Sequence, residues 1–225
     1  MKPMPLTLAV PLLPLPLLLA GPAAATAPAV PHAHVPAIAA EAAARAPVAP
    51  QLQQALRDLW HGHVVATRDY ALAVEVADAA AVRKAADAVV ANAGDIANAV
   101  GGFYGDAAGK QMLTLLGGHW GAVKALTDAR HDGDAAAAQA AMDELVANAD
   151  AIAVFLGGAN PYLPADAVRG LLVAHGGHHA AQIQQIMAGD MAGEAKTWQA
   201  MQAHMDVIAD ALAAAIARQF PDRAS

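Results

Sequence analysis

The sequence predicts an all-α fold: an up-down helical bundle of about six helices, pairing into three repeated helical hairpins if an internal match is a true repeat. Three observations predict it. After Pro50, apolar residues recur every three or four positions, as in Leu52, Leu56, Leu59, His63, Thr67, Tyr70 and Val74, the period of one helix face. No stretch sustains the two-residue alternation of a half-buried strand. When the chain is shifted by 56 residues, Leu59-Trp60, Leu115-Leu116 and Leu171-Leu172 align without a gap. So do His63, His119 and His175, Asn92 with Asn148, Ile96 with Ile152, and Gly101-Gly102 with Gly157-Gly158. A fixed period of this length marks a repeated supersecondary unit.

The elements follow in order. Lys2 precedes an apolar run at 5–20, "PLTLAVPLLPLPLLLA", and small residues at Ala23 and Ala25. This is the layout of an export signal, with cleavage expected after Ala25; sixteen apolar residues broken by prolines span a bilayer poorly. Residues 1–25 are therefore assigned as signal peptide and 26–50 as an Ala/Pro linker, with the helical domain at 51–222. Eleven of the fourteen prolines lie within the first 50 residues, which sets the boundary near Pro50. Helices are expected near 51–77, 80–100, 106–130, 134–156, 164–188 and 194–219. Breaks are expected at Gly101-Gly102, "HDGD" 131–134, "GGANPYLP" 157–164 and "GDMAG" 189–193. Asp106 and Asp134 are expected as helix caps.

Composition narrows the function. Alanine supplies 64 of 225 residues and aromatics only 4%, so the core should be thin, with helices approaching closely. The net charge of −7 speaks against a nucleic-acid partner. With no cysteine, disulfides, thiolate metal sites, a cysteine nucleophile and a lipid anchor on an N-terminal cysteine are excluded. The protein is expected to be secreted or periplasmic, without a stable membrane anchor after cleavage.

The chemistry resides in histidine. His63, His119 and His175 each lie on the apolar stripe of a helix. If the hairpins alternate up and down, the first helix of each runs parallel to the others and the three side chains share a height. His204, flanked at helical spacing by Met201 and Ile208, joins them on the last helix. His175 and His179, four apart in "HGGHHAAQI", share a face and can hold one metal ion. Glycines at 62, 117, 118, 121, 176 and 177 sit at the same level, leaving room for close packing or for a ligand. The candidate metal ligands are therefore His175, His179, His119, His63 and His204, for a divalent transition metal: zinc, copper or nickel. Gln182 could orient a ring from behind. His61, His131, His32 and His34 are assigned no role. Met187/Met191 and Met201/Met205 pairs would suit copper, or simply fill core. No Ser/His/Asp arrangement, phosphate loop, dinucleotide turn or Glu-x-x-His pair is present.

Two resemblances rest on quoted segments. "LWHGHVVATRDY", "DIANAVGGFYGDAAGKQMLTLLGGH", "ANADAIAVFLGGANPYLP" and "IARQFPD" resemble a bacterial family of small all-helical proteins labelled inconsistently as glycosyltransferase or acetylglutamate kinase. The resemblance covers about residues 56–222 and implies that His63, His119 and His175 are family positions. It departs at 176–182, where members carry Leu and Thr around the His and an acidic residue near Gln182. Locally, "HGGHHAAQI" is similar to the metal-binding helix of DinB-like bundles, which implies His175 and His179 as ligands; the Arg-Gly before the Gln in that family is Ala180-Ala181 here. The function expected is an exported bundle binding a transition metal in a binding or handling role. The alternatives are an interaction or envelope-stress protein with a structural His layer, and a metal-dependent hydrolase or transferase of DinB-like type. No protein partner is implied.

Overall fold

The computed structural model describes residues 49–224, so the expected signal peptide and nearly all of the linker lie outside the described residues. The described part is all-α. Six helices follow one another: α1 Pro50–Glu75, α2 Ala79–Tyr104, α3 Asp106–His131, α4 Ala135–Ala159, α5 Ala165–Met187 and α6 Met191–Gln219. No helix among them is long and apolar enough to cross a membrane.

Short turns make every sequential neighbour antiparallel. The chain also closes: Arg57 of α1 pairs with Asp210 of α6, and Arg68 with Glu194, so α1 and α6 are antiparallel as well. In this ring α1, α3 and α5 run parallel, and they also touch one another, whereas α2, α4 and α6 each lie between two of them. The bundle is three hairpins, α1–α2, α3–α4 and α5–α6, around an inner trio.

The turn inside each hairpin is built the same way. Ala77, Gly133 and Gly189 have φ of 52, 73 and 68°, the left-handed conformation that ends a helix. The next residue's N–H bonds back five residues: Asp78 to Ala73 O, Asp134 to Ala129 O and Asp190 to Gln185 O. Those aspartates then cap the following helix. Asp78 accepts from the N–H groups of Ala80 and Ala81, Asp134 from those of Ala136 and Ala137, and Asp190 from that of Gly193.

The break expected at Gly101-Gly102 is corrected, and the one expected at 157–164 is found within those bounds, at 160–164. α2 runs through Gly101-Gly102 to Tyr104, and α4 through Gly157-Gly158 to Ala159. Gly101 and Gly157 lie against neighbouring backbone or side chain, whereas a Cβ on Gly102 or Gly158 would meet nothing within 4 Å. A Cβ on Gly109 would stand 2.9 Å from Ala97 O and 3.1 Å from Gly101 Cα, closer than side chains tolerate. The break falls at Gly105, whose φ of 90° an L-residue resists. Gly105 is also the N-cap of α3, so Asp106, expected as the cap, is instead the first helical residue, where its charge favours the helix N-terminus. His131, expected in a loop, is the last residue of α3.

Five inward positions of α1, α3 and α5 form successive layers along the inner trio, each 56 residues apart in sequence. They are Leu56/Met112/Val168, Trp60/Leu116/Leu172, His63/His119/His175, Thr67/Val123/His179 and Tyr70/Leu126/Gln182, and all fifteen side chains are buried. The spacing alternates four and three residues, as in the seam of a coiled coil. Two of the five layers carry histidine.

Candidate metal centre

Each inner helix contributes one imidazole to the third layer, at a position its apolar stripe turns inward. The ring centroids of His63, His119 and His175 are 5.6, 5.8 and 5.5 Å apart, close to an equilateral triangle. His179, one turn further along α5, closes the group from the next layer, 5.8 Å from both His63 and His119 and 4.4 Å from His175. Its Nε2 stands 3.0 Å from His175 Nε2. One ring nitrogen from each of the four lies within 4.8 Å of the others. A tetrahedral ion with Zn–N bonds of about 2.0–2.1 Å places its nitrogens about 3.3 Å apart, so an ion bound here would draw the rings inward from their present spacing.

Burial fixes the protonation state that a metal ligand needs. Desolvation first, and the neighbouring His119 second, push the His63 pKa down to about 3. Desolvation pushes His119 down to about 4, with the Asn148 amide opposing in part. His175 and His179 are held well below the ordinary value by burial and then by the other imidazoles. All four are therefore neutral at neutral pH, the protonation state in which imidazole offers a lone pair. Their nitrogens are poorly used by the protein: Nδ1 and Nε2 of His63, Nε2 of His119 and Nδ1 of His175 have no protein hydrogen-bond partner. A layer built only for structure would pair these atoms, because each orphaned buried polar group costs about 1–3 kcal/mol. The residues present thus fit a transition metal by donor type, number, protonation and unmet bonding capacity.

The structure separates His204 from this group. Its Nε2 donates to Leu171 O at 2.9 Å, and its ring lies 5.3 Å from that of His178. Asn92 and Asn148 make the same bond in the other hairpins, to Leu59 O and Leu115 O, each at 2.9 Å across 33 residues. Those two asparagines account for two of the glycines near the histidines. A Cβ on Gly62 or Gly118 would stand 3.0 Å from the Asn92 or Asn148 side-chain nitrogen. Nothing in the structure explains Gly117, Gly121, Gly176 or Gly177. His61 is partly exposed and faces Asp206 at 3.1 Å. Met201 and Met205 are core residues, 0% exposed.

Gln182 does not orient an imidazole as expected. Its Nε2 donates to Glu194 Oε1 at 2.9 Å. Sequence reasoning missed Glu194, 1% exposed, whose two oxygens accept from Arg68 Nε and Nη2 at 2.6 and 3.0 Å. The pair joins α1 to α6 across 126 residues, and no local pattern announces so distant a partner. Trp60 packs edge-on against His63 and also lines an apolar cavity with Leu56, Met112 and Leu212; none of the four histidines lines that cavity. No protein-family model, curated protein or solved structure matches the chain.

Proposed function

We propose that this protein binds one transition-metal ion among His63, His119, His175 and His179, in a binding or handling role outside the cytoplasm. The observation that carries the reading is the set of four buried, neutral imidazoles drawn from all three hairpins, three of which, His63, His119 and His175, have orphaned nitrogens. Four nitrogen donors with no thiolate suit zinc, copper or nickel. The similarity of 175–183 to a DinB-like metal helix supports His175 and His179 as ligands, and the wider resemblance supports the other two as shared positions. The N-terminal apolar run supports export. Binding is favoured over hydrolysis because a catalytic site keeps a coordination position open, and here the fourth position is taken by His179. The common turns, caps and carbonyl bonds at 56-residue intervals favour three copies of one hairpin as the origin of the His layer.

Metal analysis of the untagged protein tests this, with His175→Ala/His179→Ala as control. The expected result is one ion per wild-type chain and none in the double variant. Saturating metal should raise the melting temperature by about 5–10 °C, the size expected for about 2.7 kcal/mol at a hundredfold excess over Kd. Wild type that takes up no stoichiometric zinc, copper or nickel, and melts without regard to them, would refute the reading.

A further inference from the structure

Among the many positions at which the third hairpin differs from the other two, three lie together. Where α5 has His178, the equivalent positions are Ala66 and Ala122; where it has His179, they are Thr67 and Val123; where α6 has His204, they are Asn92 and Asn148. All three differences are to histidine. His179 completes the buried group. His178 and His204 face each other with ring centroids 5.3 Å apart, at the junction of α5 and α6. His178 is half-buried, while the four central imidazoles are at most 7% exposed. His204 Nε2 carries the proton it donates to Leu171 O, so its Nδ1 holds a lone pair. A backbone carbonyl fixing the tautomer in this way is the usual support of a metal-binding histidine. The two residues adjoin the centre electrostatically: His178 acts on His179 and His204 on His175.

An ion cannot reach a centre this buried without shedding its water on the way. From this placement we infer that His178 and His204 form an outer two-histidine station, through which a divalent transition metal passes between α5 and α6 to and from the four-histidine centre. The inference rests on the metal-binding reading above. Two imidazoles, His178 half-buried and His204 9% exposed, replace part of the ion's hydration. Ligand exchange to His179 and His175 then moves it inward with no change in oxidation state. Two neutral ligands hold an ion weakly enough to release it, which a relay requires.

The equivalent residues supply variants that should fold. His178→Ala restores the residue found at 66 and 122. His204→Asn restores the asparagine that already bonds the matching carbonyl in the other hairpins. Metal-free wild type, each single variant and the double variant are mixed with Co(II), and the visible absorption of the tetrahedral complex is followed in a stopped-flow instrument. Release to excess chelator is followed in the same way. The expected result is loading and release both slowed at least about tenfold in the double variant, a barrier increase of about 1.4 kcal/mol, with stoichiometry and Kd unchanged. Equal rates in wild type and double variant would overturn the station while leaving the centre intact. A double variant with reduced stoichiometry or affinity would also overturn it, since the residues would then be ligands of the resting site. Wild type that binds no Co(II) and no zinc would remove both readings together.

Discussion

His179 sets the character of the centre. Three imidazoles on one layer of a parallel trio make a trigonal set, and His179 adds a donor on one side only. His179→Val places at 179 the residue that α3 carries at 123, so the layer should still pack. The expected outcome is a protein that still binds one ion through His63, His119 and His175, at least about tenfold more weakly, a loss of about 1.4 kcal/mol or more. Competition against a chromophoric chelator measures it; unchanged affinity would show that His179 is not a ligand. Glu194 permits a second test that needs no metal. Arg68 holds its carboxylate below the usual range, assisted by Gln182, while burial opposes. Arg68→Leu leaves that carboxylate buried with only Gln182, and a cost of about 3 kcal/mol in urea unfolding is expected. Arg68→Leu/Glu194→Leu should recover most of it. A double variant as unstable as the single would place the cost in lost packing, not in the unpaired charge.

The hairpin is the unit in which this fold is assembled, and its turn holds a local inconsistency. Position 133 and position 189 are glycine, but the equivalent residue is Ala77, held at φ 52°. An alanine there carries the steric cost of left-handed backbone, about 1 kcal/mol. Ala77→Gly should therefore raise stability by about 0.5 kcal/mol once the greater freedom of glycine in the unfolded chain is subtracted. A lower urea midpoint would show that the α1–α2 turn is not strained. The same scale explains what the sequence made legible. Period and turn chemistry located six helices and the Asp134 cap, because both are local. The helix expected to end before Gly101-Gly102 runs on to Tyr104, because a glycine that admits a neighbouring helix, as Gly101 admits Gly109, looks in sequence like one that ends its own. Of the five candidate ligands, four converge. His204 was drawn in by its apolar stripe and its height. Its assignment turned on a carbonyl 33 residues away, and only the paired Asn92 and Asn148 hinted at that.

At the scale of the whole molecule, the cost of the centre is carried by the bundle's response to acid. The inner trio joins all three hairpins, so charging its histidine layers strains the entire core and not one edge. His63 and His119, with folded pKa values pushed to about 3 and about 4, bind fewer protons when folded than in the unfolded chain, where imidazole titrates near 6.5. His175 and His179 shift in the same direction. The stability of the neutral imidazoles is thus fully present above pH 6.5 and is lost as pH falls from there through the folded values. Each group that stays neutral while its unfolded counterpart is protonated removes about 1.4 kcal/mol per pH unit below 6.5. His63 and His119 alone, neutral over two units, remove about 5 kcal/mol, the lower end of a domain stability of about 5–15 kcal/mol, and His175 and His179 act in the same direction. The metal-free protein should therefore unfold cooperatively between about pH 5 and pH 4. Helical circular dichroism in the presence of chelator follows the transition, and His179→Val, with one buried imidazole fewer, should shift its midpoint to lower pH. Bound metal competes with protons for the same lone pairs, so loading should also move the wild-type midpoint to lower pH. If the metal-free wild type stays folded to pH 3, or if His179→Val leaves the midpoint where it was, the buried layer is not what limits the molecule in acid.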